Sequence, residues 1–235
     1  MQLNTPNHLS VFWRNHLYIP LCIFVFAAVS FELGDVDIWL ADKFYALEGG
    51  TWALKNAWVT STLIHQTGKK LSLLIAAIIL AALAFSYISK YLRQYRRELA
   101  YLLLAAGGGS VLISILKNIS HVSCVWDFSR YGGTLEYTDV YIQILNMRGD
   151  NCFPAGHASG GYAWLAFYFL GVYKQSTWRW AGLSFALGVG LIFGISQQLR
   201  GAHFITHDLW TLVICWFFSL LVFKVMLFDK APRHQ

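Results

Sequence analysis

The sequence predicts an all-α, polytopic membrane protein, a six-transmembrane-helix bundle with an interfacial outward segment. Three observations carry that expectation. Of the 235 residues, 57% are hydrophobic and 13% charged, which leaves too little polar surface to coat a water-soluble globule; the mean hydropathy of +0.48 agrees. The apolar residues gather into six runs, at about residues 17–33, 71–89, 100–117, 158–173, 180–196 and 209–228. Each approaches the roughly 20 residues that a helix needs to cross a hydrocarbon core of about 30 Å. The Lys and Arg residues concentrate in the short connections between runs. Six spans use up most of the chain, so residues 1–235 are expected to form a single domain.

The elements follow in order. Residues 1–16 are polar and are expected on the inner surface. The first run continues through "AAVSFELGDVD" without a convincing small-residue cleavage site, so it is expected to stay as an anchor. Segment 35–66 mixes Trp39, Phe44, Tyr45, Trp52 and Trp58 with charges, and "GG" at 49–50 breaks it. That composition suits a lid or collar at head-group depth. "AAGGGS" at 105–110 and "GLSFALGVGLIFG" in the fifth run supply small residues for close helix approach.

Orientation follows from the basic loops. Lys90, Arg93, Arg96 and Arg97, then Lys174 and Arg179, then Lys224, Lys230 and Arg233 mark the cytoplasmic side. Both termini are then cytoplasmic, and segments 34–70, 121–157 and 197–208 face outward, in a bacterial inner membrane toward the periplasm. The net charge of +6 is accounted for by topology and attraction to anionic lipid, so no nucleic-acid partner is expected. Nothing in the sequence sets the oligomeric state.

Cys22 and Cys215 fall within predicted spans and read as small packing residues. Cys124 and Cys152 bound the second outward loop. In an oxidising compartment a disulfide between them is permitted, with two free thiols as the alternative; it would pin a loop that lacks an obvious core of its own.

The outward ends of the spans hold Lys117, His121, His157, Arg200, His203, His207 and Asp208. Ionisable groups at membrane depth are costly unless paired or wet, so each is a site candidate. "CFPAGHAS" puts His157 at a helix start behind Pro154 and Gly156, where free backbone N–H groups favour an anion. "QQLRGAHFITHDLW" presents Arg200, His203, His207 and Asp208 in one turn. A lone Lys117 would more simply snorkel to the interface, and histidines four apart can also bind metal.

Taken together these stretches resemble the signature of the type 2 phosphatidic acid phosphatase superfamily of integral membrane phosphatases. That signature is Lys, six residues, Arg-Pro; then Pro-Ser-Gly-His; then Ser-Arg, five residues, His, three residues, Asp. Here Lys117 is followed after six residues by Cys124-Val125, the second part is Pro154-Ala155-Gly156-His157, and the third is Ser196-Gln197, five residues, His203, three residues, His207. Order, spacing and predicted side agree over about residues 70–228.

The resemblance implies a membrane phosphatase domain acting on a lipid phosphate. His203 matches the nucleophile that forms a phosphohistidine. His157 matches the general acid. Lys117 and Arg200, with backbone N–H groups around Gly156 and Ala155, would hold the phosphate oxygens. No metal and no cofactor are implied. The chain departs from the family where Cys124 and Gln197 replace arginines and where Ala155 replaces serine. Arg200, one helical turn beyond Gln197, is expected to reach the same anion, with Arg130 and Arg148 as spares. His207 also stands where the family has its aspartate, with Asp208 adjacent; either could orient the His203 imidazole, and Asp208 is preferred because a carboxylate stabilises the charged ring better, while an inverted assignment with His207 as nucleophile stays open. Candidate substrates are a polyprenyl pyrophosphate, phosphatidate or phosphatidylglycerol phosphate, and lipid A. The other readings are a lipid-to-lipid phosphotransferase, a catalytically degenerate phospholipid binder, and a His-ligated metal or haem membrane protein.

Overall fold

The structure is a computed structural model that describes residues 6–146 and 149–228; Arg148, Lys230 and Arg233 lie outside them. Among the described residues it is helical throughout, with no strand and a single isolated bridge, Phe128 to Leu135. We number the helices α1 (residues 6–33), α2 (Val36–Leu47), α3 (Val59–Phe85), α4 (96–120), α5 (Val140–Asn146), α6 (159–173), α7 (Arg179–Gln198) and α8 (Ile205–Met226).

Five helical stretches are long and apolar enough to cross a membrane: Leu9–Leu33, Val59–Phe85, Leu92–Asp127, Arg179–Gln198 and Ile205–Met226. The chain is a multi-pass membrane protein. The fourth apolar run behaves differently. It becomes α6, whose residues 159–173 extend only about 22 Å at 1.5 Å per residue, short of the bilayer core. Nearly all of it is buried in protein, with Leu165, Ala166 and Phe169 fully so. α6 is the central strut around which α4, α7 and α8 pack.

Lipid tails are as apolar as leucine, so close packing and interhelical hydrogen bonds hold such a bundle more than apolar burial does. The α6–α7 crossing shows this. A Cβ on Gly161 would come within 2.2 Å of the Gly190 nitrogen, and one on Gly190 within 2.1 Å of the Tyr162 ring. Trp164 donates to the Ser72 hydroxyl at 3.0 Å, tying α6 to α3, and Tyr101 donates to the Ala166 carbonyl at 3.3 Å, tying it to α4. Of the small residues at 105–110, Gly108 does the same work against Phe218.

The N-terminal segment departs from the expectation of a polar surface stretch. α1 begins at Pro6, a residue whose fixed φ suits a first helical turn. Phe12 stacks in the core on Phe223 and packs at a tilt against Phe228. His16, four residues on and so on the same helical face, sits against Tyr168 with its Nε2 3.1 Å from that hydroxyl. The polar composition of the stretch hid this apolar stripe.

The two ends of the bundle differ. At one end Lys174 pairs with Glu98 at 2.5 Å and Arg96 donates to the Ser86 carbonyl at 2.7 Å. At the other lie the C-termini of α4 and α7 and the N-termini of α6 and α8. There the loops build a small core that the sequence did not suggest: Ala41, Val125, Phe128, Tyr131 and Phe204, with Ile38, Tyr45 and Trp52 packed against it. α2 and the turn after it cover these loops. Asp37 accepts from the Thr206 backbone N–H at 3.0 Å, Asp42 pairs with Arg130, and Lys55 lies 3.9 Å over the Trp126 ring.

Candidate active site

His157 owes its position to the chain in front of α6. The Ala155 N–H donates to the His207 carbonyl at 3.3 Å, and the Thr211 hydroxyl donates to the Ala155 carbonyl at 3.2 Å, so α8 fixes this loop. Ala155 is fully buried. The Ser159 hydroxyl caps the Gly156 carbonyl at 2.7 Å and the Gly160 N–H reaches the His157 carbonyl at 3.0 Å, which starts the helix. Lys117 passes close to Gly156: a Cβ there would lie in ordinary contact, 3.4 Å from the lysine Cδ and 3.6 Å from its Nζ. The ammonium of α4 therefore runs along the backbone that presents His157.

Both groups line a cavity of about 450 Å³ between α3, α4, α6 and α7, together with Gly156, Gln197, Phe193, Lys69 and the hydroxyl residues Ser72, Ser110, Ser114 and Ser159. Among the described residues its charged or titratable groups are two lysines and one histidine, with no carboxylate. An anion is the complementary ligand. Leu73 and Val111 on its wall are exposed on the surface of apolar helices long enough to cross a membrane.

Three imidazoles run inward from the cavity. The His157 and His203 ring centres are 6.4 Å apart, and those of His203 and His207 are 5.7 Å apart. His203 is 3% exposed, and its Nδ1 meets no hydrogen-bond partner. Burial, followed by the nearby His207, Lys117 and His157, holds its pKa well below the usual 6.5, so the ring is neutral at physiological pH. His207 is fully buried, edge-on to Phe153 and Phe204. Its Nδ1 lies 2.9 Å from the Cys152 carbonyl. A carbonyl can only accept, so that nitrogen carries the proton and Nε2 keeps its lone pair.

Cys152 is held in turn. It is disulfide-bonded to Cys124 with the Cα atoms 5.1 Å apart, and its N–H donates to the Val122 carbonyl at 2.9 Å.

Asp208 does not orient His203. It accepts a hydrogen bond from Gln198 Nε2 at 2.5 Å and lies against α7, where a Cβ on Gly194 would come within 2.7 Å of its Cγ. Helical geometry explains the correction. Residues 207 and 208 lie in the first turn of α8, where successive side chains diverge by about 100°. His207 faces the Cys152 loop, so Asp208 faces α7.

Arg200 is joined to the cavity wall through Gln197, donating to its Oε1 at 3.1 Å while its Nε donates to the Lys55 carbonyl at 2.8 Å. The turn after α2 thus clamps the arginine that follows the departed motif position. Arg130 is spent on Asp42, 2.5 Å away, on the outer surface.

Sequence reasoning missed Lys69, Ser159, the Lys55 carbonyl and the Asp37 hold on Thr206. A signal existed for one of them: Lys69 and Lys70 stand at the outward start of the second apolar run, against the usual placement of basic residues.

For a metal, three donors must converge. Among the described residues only Cys124, Asp127 and Asp150 bring three candidate atoms within 4.8 Å of one another, and the Cys124 sulfur is taken by the disulfide. The site histidines lie in series.

Fold and cavity define an all-helical, multi-pass membrane protein with a cationic pocket at one end of its bundle. The sequence model of the PAP2 superfamily matches residues 98–230, more than half of the 235 residues: the chain belongs to that superfamily, whose members are generally phosphatases. No curated protein and no solved structure matched the chain.

Proposed function

We propose that this protein is a lipid phosphatase or pyrophosphatase that removes phosphate from a membrane lipid through a phosphohistidine. The observation that carries the reading is the cavity that holds Lys117, Lys69 and His157 with no carboxylate among its described lining residues, in a chain of apolar helices. A lipid's head group fills such a pocket while its tail stays in the bilayer. The alternating basic loops support six crossings with the pocket facing the periplasm, α6 crossing inside its neighbours.

In the proposed reaction the neutral His203 attacks phosphorus. The bond from phosphorus to the leaving oxygen breaks as a P–N bond forms, and His157 gives its proton to that oxygen. Lys117 and the backbone N–H groups beyond Gly156 neutralise the charge that accumulates on the non-bridging oxygens. A water then takes the place of the leaving group: its oxygen bonds to phosphorus as one of its protons passes to His157, and the P–N bond breaks, returning its electron pair to a neutral His203 and releasing inorganic phosphate. Gln197, held by Arg200, contributes an amide at the cavity wall. The scheme calls on no metal or cofactor.

The test is phosphate release by the purified protein, with chelator present, from undecaprenyl pyrophosphate, phosphatidate, phosphatidylglycerol phosphate and lipid A. Release that survives chelation and is lost in both His203→Ala and His157→Ala supports the reading. No release from any lipid, with binding intact, would leave a phospholipid-binding protein.

One observation favours a second assignment within the same mechanism. His207 has its Nδ1–H fixed by the Cys152 carbonyl and an Nε2 without a partner, the tautomer a nucleophilic imidazole requires. Its full burial behind His203 keeps it second.

A further inference from the structure

Two of the cations expected of the site are absent from their places, since Cys124 is committed to a disulfide and Gln197 is uncharged. Lys69 brings a positive charge to the same cavity from a different helix. It lies in the first turn of the α-helical part of α3, Gly68–Phe85, outside the three stretches that carry the signature. Its approach depends on the residue before it. A Cβ on Gly68 would sit 2.2 Å from the Phe193 ring of α7, itself a cavity wall, so only glycine lets this part of α3 close on the pocket.

The two lysines occupy different depths. Lys117 is half-buried beside Gly156, whereas Lys69 is exposed at the mouth. Among the described residues no carboxylate lines the cavity and Lys69 forms no salt bridge. A single phosphate seated at Lys117 and His157 satisfies the inner charge and leaves the outer one to solvent. The 450 Å³ of the cavity exceeds what one phosphate fills.

We propose that Lys69 is a second substrate-binding cation, holding the oxygens of a phosphate beyond the one that reacts, so that this cavity selects a lipid diphosphate over a lipid monophosphate. The inference rests on the phosphatase reading for the site and adds the class of head group it takes. An ammonium at the cavity mouth forms charge-assisted bonds to a second phosphate while keeping part of its hydration, which favours the diphosphate about tenfold.

The test separates this inference from turnover. Binding of farnesyl methylenediphosphonate and of farnesyl phosphonate, neither of which releases phosphate, is measured calorimetrically for the wild type, Lys69→Gln and Lys70→Gln. The expected result is that the wild type prefers the diphosphonate about tenfold, that Lys69→Gln loses the preference while keeping its affinity for the monophosphonate, and that Lys70→Gln matches the wild type. Equal affinity for both ligands in the wild type overturns the proposal. So does a Lys69→Gln variant that keeps the preference, weakens both ligands alike, or behaves as Lys70→Gln does. Binding as expected without phosphate release from any lipid would sink the hydrolase reading alone.

Discussion

The Cys152 carbonyl accepts a hydrogen bond from His207 Nδ1 at 2.9 Å, and the same residue is disulfide-bonded to Cys124. A covalent link on the outer loop is therefore one residue's backbone away from an imidazole in the core of the site. The bond sets the His207 tautomer and joins α8 to the loop in front of α6.

Breaking that link should loosen both. The bridge closes a separation of 28 residues, worth about 3–4 kcal/mol in the chain-entropy account. The double variant Cys124→Ser/Cys152→Ser is expected to melt at lower temperature and to lose turnover before it loses substrate binding. Scanning fluorimetry beside a kcat and KM measurement reads both; an unchanged melting point and kcat would remove the bridge from this account.

Gly156→Ala should be tolerated. The added methyl would meet the Lys117 side chain at 3.4 Å, an ordinary van der Waals contact, so kcat/KM and melting temperature are expected to stay within about twofold and a degree or two of the wild type. The counterpart is Gly190→Ala, where the methyl would lie 2.1 Å from the Tyr162 ring. There overpacking should cost about 1–3 kcal/mol or more, read as a lowered melting temperature with a proportionate loss of folded protein.

Acidification should act through two groups of opposite sign. His203 stays neutral well below 6.5 in the folded state, so between that pH and its folded value the unfolded chain binds more protons. Stability from this group falls as pH drops below 6.5. Asp37 is raised by burial to about 6 from 3.8, so over that window the folded state binds more protons, and its contribution improves on acidification. Asp37→Asn is thus expected to raise the melting temperature at pH 8 and to lose the gain by pH 5. A gain that is independent of pH would refute the assignment.

The same property of His203 bears on rate. A nucleophile held neutral by burial is not lost to protonation near 6.5, so kcat/KM should hold between pH 7 and pH 6. A pH–rate profile whose acid limb falls with an apparent pKa near 6.5 would point to a solvent-exposed imidazole instead.

Much of this was legible in the sequence because membrane chemistry is blunt. Long apolar runs and clustered basic loops give the helical class, and ionisable residues at span ends stand out against them. Lys117, His157 and Gln197 do line one cavity, with His203 behind. What could not be read depends on side-chain direction or on partners distant in sequence. The carboxylate of Asp208 is the better chemical match for orienting the His203 imidazole, yet one residue of helical rotation sends it to Gln198. α6 was counted as an ordinary span because composition does not reveal that its residues 159–173 are sheathed by protein. The small core under α2 draws on Ala41, Phe128 and Phe204, too widely spaced to leave a periodic trace.

The most direct test of the central claim is to trap the intermediate. Rapidly quenched enzyme turning over a radiolabelled lipid phosphate, held at alkaline pH and mapped by mass spectrometry, should carry one phosphoryl group on His203, and His203→Ala should carry none. Turnover without a trapped phosphoenzyme, or a label found on His207 or elsewhere, would contradict the assignment.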